Sequence, residues 1–579
     1  MSRNHGGLTM NYKKLAEVYE NLASTTKRLE KTKILSDFLK NVSEADKDVL
    51  YLLLGDIYPE YSEKRIGISN QLAIQAISKS TGREKSEVVK HWKKIGDLGK
   101  VSEALTKNKK QSTLGRSKIL TTQKVIDNLR KLPELIGKGT VSKKLSLITE
   151  LLTSATPIEA KYLIRTLIGD LRVGIKEPTI RDAIVSAFFK GDKEKTNQVQ
   201  RALDRANDVA LVFSMSKKGK IKDLESVSLE VGKPIKAMLA QKAKNIEEGF
   251  KMVGKPCGVE YKYDGFRMLI HKKGKDIKLF TRRLENVSKQ FPEVVAYIKK
   301  YVKGKSFVLD SEAVGWDRKT KEYQPFQGIS QRIRRKYDIE KLKEKLPVEV
   351  NVFDVIYYNG KSIIDEPFEK RAKLIRKIVK KVPYKIIPSK MIITGNLKKT
   401  QVFYKKALKD NQEGIMMKKL DAKYQPGRRV GHMIKVKPEE RDLDLVITGA
   451  EYGTGKRSGW MSSFILSCRG KKKGEFLEVG KMGTGIKEKG DLGVSFGELT
   501  KKLTPLITEE KGKKVKIKPK IIISVTYQEI QRSPNYNSGW ALRFPRFTAL
   551  RPDKPLSEVA DLKEVEKDFK NQKRNWRYG

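Results

Sequence analysis

The 579-residue sequence predicts three parts in series: an all-α domain over 1–220, an α+β domain over 221–440 and a small β-barrel over 441–579. Three observations carry this reading. Apolar residues recur at helical spacing before residue 220. Runs of β-branched and aromatic residues, bounded by Gly, Asn and Asp, take over after it. From residue 440 onward short strand-like runs alternate with glycine turns.

Taken in order, AKYLIRTLIGDLRVGI places Leu163, Leu167 and Leu171 at four-residue intervals and predicts a helix through all three. Pro178 and Thr179 open a second helix whose Ile180, Ala183, Ile184, Ala187 and Phe188 form one apolar stripe. Such stripes read as core, and Trp92 and Trp576 read as packing residues. SKKGKIKD at 216–223 reads as a linker. VEYKYDGFRMLIHKK, DIKLFTRR, SFVLDSEAVGW, VNVFDVIYY and GIMMKK read as strands, with EKRAKLIRKIVKKV as a helix among them. LDLVITGAEYG, SSFILSCRG, FLEVGKMG and IIISVTYQEI supply the barrel, and the basic tail KEVEKDFKNQKRNWRYG reads as frayed chain or a short helix.

Charge narrows the function. Lys and Arg number 123 against 69 Asp and Glu, a formal net charge of +54, which reads as an unusual salt regime, a solubility bias or, better, a polyanionic partner, either nucleic acid or an acidic membrane surface. No apolar run approaches the ~18 residues needed to span a bilayer, and MSRNHGGLTM lacks the apolar region of a signal peptide. Two cysteines, Cys257 and Cys468, exclude a disulfide scaffold and a Cys-rich zinc site, and they fit a reducing cytoplasm. The four histidines are scattered.

The sharpest local signal is Glu260-Tyr261-Lys262-Tyr263-Asp264-Gly265-Phe266-Arg267. On a strand, Glu260, Lys262 and Asp264 share one face and the tyrosines take the other. This lysine is either a salt-bridge partner on a solvated strand or a nucleophilic amine. As a nucleophile it must shed a proton that its carboxylate neighbours help it keep, so cations or a metal must offset them. Candidates are Lys435 and Lys437 on one strand face, Lys418, and a divalent ion on Asp310 and Glu312 or on Glu413.

The ordered set EYKYDGFR, LFTRR, FVLDSEAV, NVFDVIYYNG, EGIMMKK, MIKVKPE and ALRFPRFTALRPDK resembles the ATP-dependent DNA ligases of the archaeal and eukaryotic replicative kind, within the covalent nucleotidyltransferases. The likeness extends to LIGDLRVGI and PIKAMLA and spans nearly the whole chain. It implies a helical DNA-binding domain, an adenylation (nucleotidyltransferase) domain and an OB-fold. It also implies sealing of 5′-phosphate/3′-hydroxyl nicks in duplex DNA through a lysyl-adenylate, in replication, repair and recombination, with ATP and Mg²⁺ or another divalent cation.

Residue by residue, the resemblance makes Lys262 the nucleophile. Glu260 would help recognise adenine, on which Phe353 would stack. Arg267 and Arg282 would hold the ribose and phosphate, with Arg429 nearby. Glu312 and Glu413 would hold the metal, Glu312 also near the ribose, and Lys435 and Lys437 would neutralise the α-phosphate. Arg543, Arg546, Arg551, Asp553 and Lys554 would reach the departing pyrophosphate. Arg165, Arg172 and Lys176 are candidate DNA-backbone contacts, on a grip that reads no sequence. Gln111-Ser112-Thr113-Leu114 is a degenerate candidate for sliding-clamp binding. A monomer, associated with the nucleoid and with no membrane partner, is expected.

The family often has Ser and Trp before the last lysine pair, where this chain has Val430 or Gly431 and Met433. A capping enzyme or RNA ligase would share the lysine motif without the helical first part. An NAD-dependent ligase would need a four-cysteine zinc site. A non-catalytic DNA-binding scaffold would not need the full set of acids, lysines and arginines.

Overall fold

The computed structural model describes residues 10–578 except 109–118, 136, 138, 220, 325, 327–328, 330–331, 334, 336, 428, 439–440, 455–456, 473, 489 and 491–492. The clamp candidate Gln111–Leu114 therefore lies outside the described residues. By compactness the chain divides into two units. One comprises 1–243, 247–396 and 416–435; the other comprises 244–246, 397–415 and 436–579.

Up to residue 226 the elements are helices. The helix Pro157–Leu167 starts with Pro in its first turn and a capping box in which Thr156 and Glu159 satisfy each other's backbone. It ends before Leu171, contrary to the four-residue spacing, because Gly169 takes a left-handed turn (φ 69°) and Arg172 a second one (φ 60°). Every residue from Glu159 to Leu167 is buried, so this helix threads the core. The helix Glu177–Phe189 buries Ile180, Ala183 and Ile184 as the stripe predicts. At 216–223 the chain is not an extended linker: the helix Val209–Lys217 runs into it and a short helix, Ile221–Ser226, leaves it.

The central part carries β1 (Leu239–Ala243), β2 (Cys257–Lys262), β3 (Phe266–Lys273), β4 (Asp276–Thr281), β5 (Ser306–Trp316), β6 (Tyr323–Gln324), β7 (Val348–Tyr358), β8 (Lys361–Ser362), β9 (Ile386–Pro388), β10 (Met391–Thr394), β11 (Gly414–Lys418) and β12 (Arg429–Val436). One sheet runs β1-β12-β11-β2-β10. The other runs β4-β3-β5-β7-β8, with β6 on β5 and β9 on β7. In the second sheet Arg267 stands opposite Glu312, and Glu312 opposite Asn351. The alternate face, with Phe266, Met268, Ile270, Val350 and Val352, forms a core with Phe291, Val294 and Ile298 of a covering helix.

The last part carries β13 (Arg441–Tyr452), β14 (Met461–Arg469), β15 (Phe476–Met482), β16 (Ile507–Lys511), β17 (Lys514–Ile517), β18 (Ile522–Tyr527), β19 (Glu529–Arg532), β20 (Trp540–Arg543) and β21 (Arg546–Leu550). The sheet order is β15-β14-β13-β17-β16, with β18 joining β13 to β21, while β19 and β20 form a separate ribbon. Strand β13 pairs with β18 along its first half and with β17 along its second. Irregular register at Ile447/Gly449 bends it between the two, the device that lets a sheet close on itself. This is consistent with the expected OB-type barrel. Leu445, Phe464, Leu466, Phe496 and Val525 fill it. The tail is a full helix, Leu562–Tyr578, rather than frayed chain.

Candidate active site

The site is built on the turn from β2 to β3. Tyr261 and Tyr263 are buried, with ring centroids 5.9 Å apart, and the Tyr263 hydroxyl accepts from the Lys390 amide at 3.0 Å. These two rings anchor the strand, which leaves Glu260 and Lys262 on its other face. Gly265 is required by close approach: a Cβ there would fall on the Ala313 carbonyl oxygen and lie 3.1 Å from Glu312 Cγ. The glycine thus holds the turn after Lys262 against β5 at Glu312.

Glu260 is buried, and its carboxylate meets Lys418 Nζ at 2.6 Å, with both side chains at most 5% exposed. Burial pushes the Glu260 carboxyl up, and the Lys418 ammonium opposes that shift. Lys418 also donates to the Phe353 carbonyl oxygen at 3.3 Å, and its Nζ lies 4.7 Å from the centroid of the Phe353 ring. One of the two acids flanking the candidate nucleophile is therefore neutralised by a cation of the fold.

Arg267 lies on the face of β3 shared with Glu312, its guanidinium 5.4 Å from the Phe353 ring. Asp310, fully buried, takes Arg267 Nε at 2.7 Å and Nη2 as well. The Tyr424 hydroxyl donates to Asp310 at 2.8 Å, and the Met238 carbonyl accepts from Arg267 Nη1 at 2.8 Å. Burial acts to lower the Arg267 pKa, and the Asp310 carboxylate overrides it and raises it. This corrects the expectation that Asp310 helps anchor a metal: its two oxygens hold a guanidinium.

Lys435 lies between the buried Ile434 and Val436, as strand alternation predicts, and Lys437 follows on the same face. Lys437 pairs with Glu413, so the two groups that the resemblance assigns to α-phosphate and metal neutralise each other here. Gly414, at φ 138°, carries no side chain where a Cβ would meet the Val436 carbonyl oxygen. Met433, the departure from the family pattern, is buried with Tyr424 and Met238. Arg429 begins β12. Arg282 is exposed just after β4 and, with Arg267 and Arg283, lines a cleft of about 1280 Å³.

Among the described residues no group of three or more His, Cys, Asp or Glu could hold a metal. A divalent ion that takes one or two carboxylates and otherwise substrate phosphates needs no such cage. Glu312, on the face of β5 that it shares with Arg267, is a side chain of the type such an ion takes.

In the second unit, Arg543 pairs with Glu529 at 2.8 Å, and Arg546 is exposed at the start of β21. Arg551 pairs with Asp444 at 2.9 Å and with Asp553 at 2.8 Å, and Lys554 meets Asp444 at 2.6 Å. The hydrogen bond from Arg551 holds the Asp553 carboxyl down at about 2.

One candidate DNA contact, Arg165, is corrected, and a second, Arg172, is paired within the fold. Arg165 is buried and bonded to Asp97 at 2.7 Å, and Arg172 is split between Asp97 at 2.9 Å and Asp170 at 2.7 Å. Both brace helices. Lys176 is exposed beside the helix Glu177–Phe189. Sequence reasoning missed Lys418 as the partner of Glu260, Tyr424 on Asp310, and Arg371, which is buried and bonded to Asp354 at 2.7 Å. The sequence marks Lys418 as a cation near the site's acids but not its partner, because strand register alone brings it to Glu260.

Three family models match the chain: "DNA ligase N terminus" over residues 11–185, "ATP dependent DNA ligase domain" over 237–437 and "ATP dependent DNA ligase C terminal region" over 457–554. The chain is 42% identical to a DNA ligase of Nanoarchaeum equitans over 97% of this chain and 99% of that protein. It is 38% identical to a DNA ligase of Thermococcus fumicolans over 98% and 99%. Among solved structures, one titled "Pmar-Lig_PreS3" matches with TM-score 0.57 at 17% identity, covering 93% of this chain and 99% of that one, which bears on the fold.

Proposed function

Because the chain belongs to the ATP-dependent DNA ligase family, we propose that Lys262 is its adenylated nucleophile and that the face shared by Glu260, Lys262, Arg267 and Glu312 receives ATP. The family's activity is the sealing of nicks in DNA through an adenylate intermediate. The observation that carries the assignment is the β2–β3 turn: Glu260 is answered by Lys418, and Gly265 seats the strand against Glu312.

The neutral Lys262 amine attacks the α-phosphorus. A P–N bond forms, the nitrogen gives up a proton to water, and the bond to the bridging oxygen breaks with its electron pair leaving on pyrophosphate. Arg267, locked by Asp310, presents a fixed positive charge beside Phe353, and Lys435 adds another on its strand. Bound on Glu312, Mg²⁺ would supply charge neutralisation at the phosphates. A 5′-phosphate oxygen of the nick then takes the adenylate, the P–N bond breaks and Lys262 regains a proton. Finally the 3′-hydroxyl attacks that 5′-phosphorus, loses its proton and expels AMP. Arg551, Asp553 and Lys554 serve the first step, at the pyrophosphate.

The partner is nicked duplex DNA gripped through its backbone, and the surplus of +54 supports this. Each phosphate neutralised contributes about −0.9 to the log–log salt slope, so affinity falls steeply with salt and little with sequence. We read the protein as a monomer of the cytoplasm, associated with the nucleoid. No helix among the described residues is long and apolar enough to cross a membrane. Recruitment by a sliding clamp through Gln111–Leu114 is a further reading.

Incubation with radiolabelled ATP and Mg²⁺, a denaturing gel and a chase with nicked DNA test the assignment. Label on the protein, absent in Lys262→Ala and removed by nicked DNA, supports it. Labelling by GTP alone favours the capping class, and no label favours a non-catalytic scaffold.

A further inference from the structure

We infer that Lys418 is the positioning residue that sets base selectivity, by holding Glu260 as a hydrogen-bond acceptor and tying it to the backbone of Phe353. The inference rests on the reading of Glu260 and Phe353 as the adenine site and names what enforces that site's preference.

Lys418 ends β11, next to β2 in one sheet, while Phe353 belongs to β7 in the other. Its ammonium reaches both: Glu260 at 2.6 Å, the Phe353 carbonyl oxygen at 3.3 Å, and the rings of Phe353 and Phe368 at 4.7 and 4.6 Å. A buried ammonium costs several kcal/mol unless its geometry is well satisfied. This one is satisfied by the carboxylate that flanks the nucleophile and by the backbone of the stacking residue. Lys419, the next residue, points away and pairs in solvent with Asp421 at 3.2 Å.

An ionised carboxylate only accepts hydrogen bonds. It accepts from the exocyclic amine of adenine and opposes the exocyclic oxygen of guanine. A protonated Glu260 would donate, and the preference would weaken or reverse. The groups bearing on Glu260 are Lys418 from β11, Asp354 from β7, Arg376 from the helix Phe368–Ile378, and Lys262 and Asp264 on its own segment. Burial and Asp354 favour the proton, whereas Lys418 and Arg376 oppose it. Without Lys418 the closest opposing charge is gone.

The test is self-adenylation of the full-length protein with ATP and with GTP across pH. Lys418→Met is expected to raise KM for ATP about tenfold or more while the saturated rate changes little, and to shrink the ATP-over-GTP preference about as much. ATP use in this variant should fall as pH drops, a dependence weaker in the native enzyme, and Lys418→Arg should restore much of the preference. A fall in saturated rate with KM and base preference intact would overturn the inference and leave Lys418 a structural residue. Should Lys418→Met fail to fold, Glu260→Gln carries the same reading: unchanged preference there also overturns it. Failure of the native enzyme to label with any nucleotide would strike the nucleophile assignment instead.

Discussion

The catalytic sheets and the barrel both concentrate charge, but they hold it differently. In the sheets the pairs are sunk into the fold: Lys418 with Glu260 at 5% and 3% exposure, Arg267 with Asp310 at 15% and 0%, Arg371 with Asp354 at 1% and 2%. In the barrel Arg543 is paired at 15% exposure with Glu529 at 12%, but Arg551 is nearer water at 28%, with its partner Asp553 at 61%. A buried pair cannot lose one member without stranding the other, so it fixes geometry. A solvated pair exchanges its partner for water or a phosphate at little cost. The first arrangement suits a pocket that must keep one shape through three steps. The second suits a motif whose groups exchange partners.

The largest break in that comparison is chemical. Lys262→Ala is expected to abolish protein labelling by ATP entirely while nick binding, measured by gel shift, persists. Next in size is stability. Arg267→Met strands the Asp310 carboxylate, and breaking a buried pair costs about 3–5 kcal/mol, read as a lower urea midpoint. A loss no greater than that of a surface substitution would mean that Asp310 is solvated in the folded state.

How much of this was legible follows the same division. The β2–β3 turn announces itself because Glu260, Lys262, Asp264, Gly265 and Arg267 are contiguous and strand alternation alone sorts their faces. The partners of those residues are remote: Asp310 is 43 residues from Arg267, and Lys418 sits on another strand altogether. Only register brings them together, and register is a property of the folded sheets. Buried cations were misread for a related reason. In a chain this basic Arg165 reads as a DNA-facing cation, but its helix is buried throughout, and Asp97 neutralises it. The barrel motif was legible as a string while its tie to Asp444 was not, because Asp444 lies on β13, over a hundred residues before Arg551 in sequence.

Acid sharpens the contrast at intermediate size. His271 is buried on β3; its Nδ1 accepts from the Gly232 amide at 3.0 Å, and burial lowers its pKa to about 3. The folded chain therefore takes up this proton only near pH 3, the unfolded chain near 6.5. Stability from the neutral imidazole is complete above about pH 6.5 and is lost progressively as pH falls toward 3. His271→Gln should flatten the denaturant-midpoint curve of the catalytic part across that window. For Asp553 the folded value is about 2, so its contribution, present above the unfolded value of about 3.9, is lost only as pH falls through that lower range.

The smallest expected effect on folding is also the most informative about function. Arg551→Ala removes a guanidinium whose partners, Asp444 and Asp553, remain served by Lys554 and by water. Its melting temperature should match that of the native protein within error. Labelling by ATP should nevertheless fall more than sealing of a nick that already carries AMP, because the motif is assigned to pyrophosphate departure. Equal loss in both assays would move Arg551 to a role common to every step. A lowered melting temperature would show that its bond to Asp444 is structural, and the barrel would then join the sheets as a region whose charges are spent on shape.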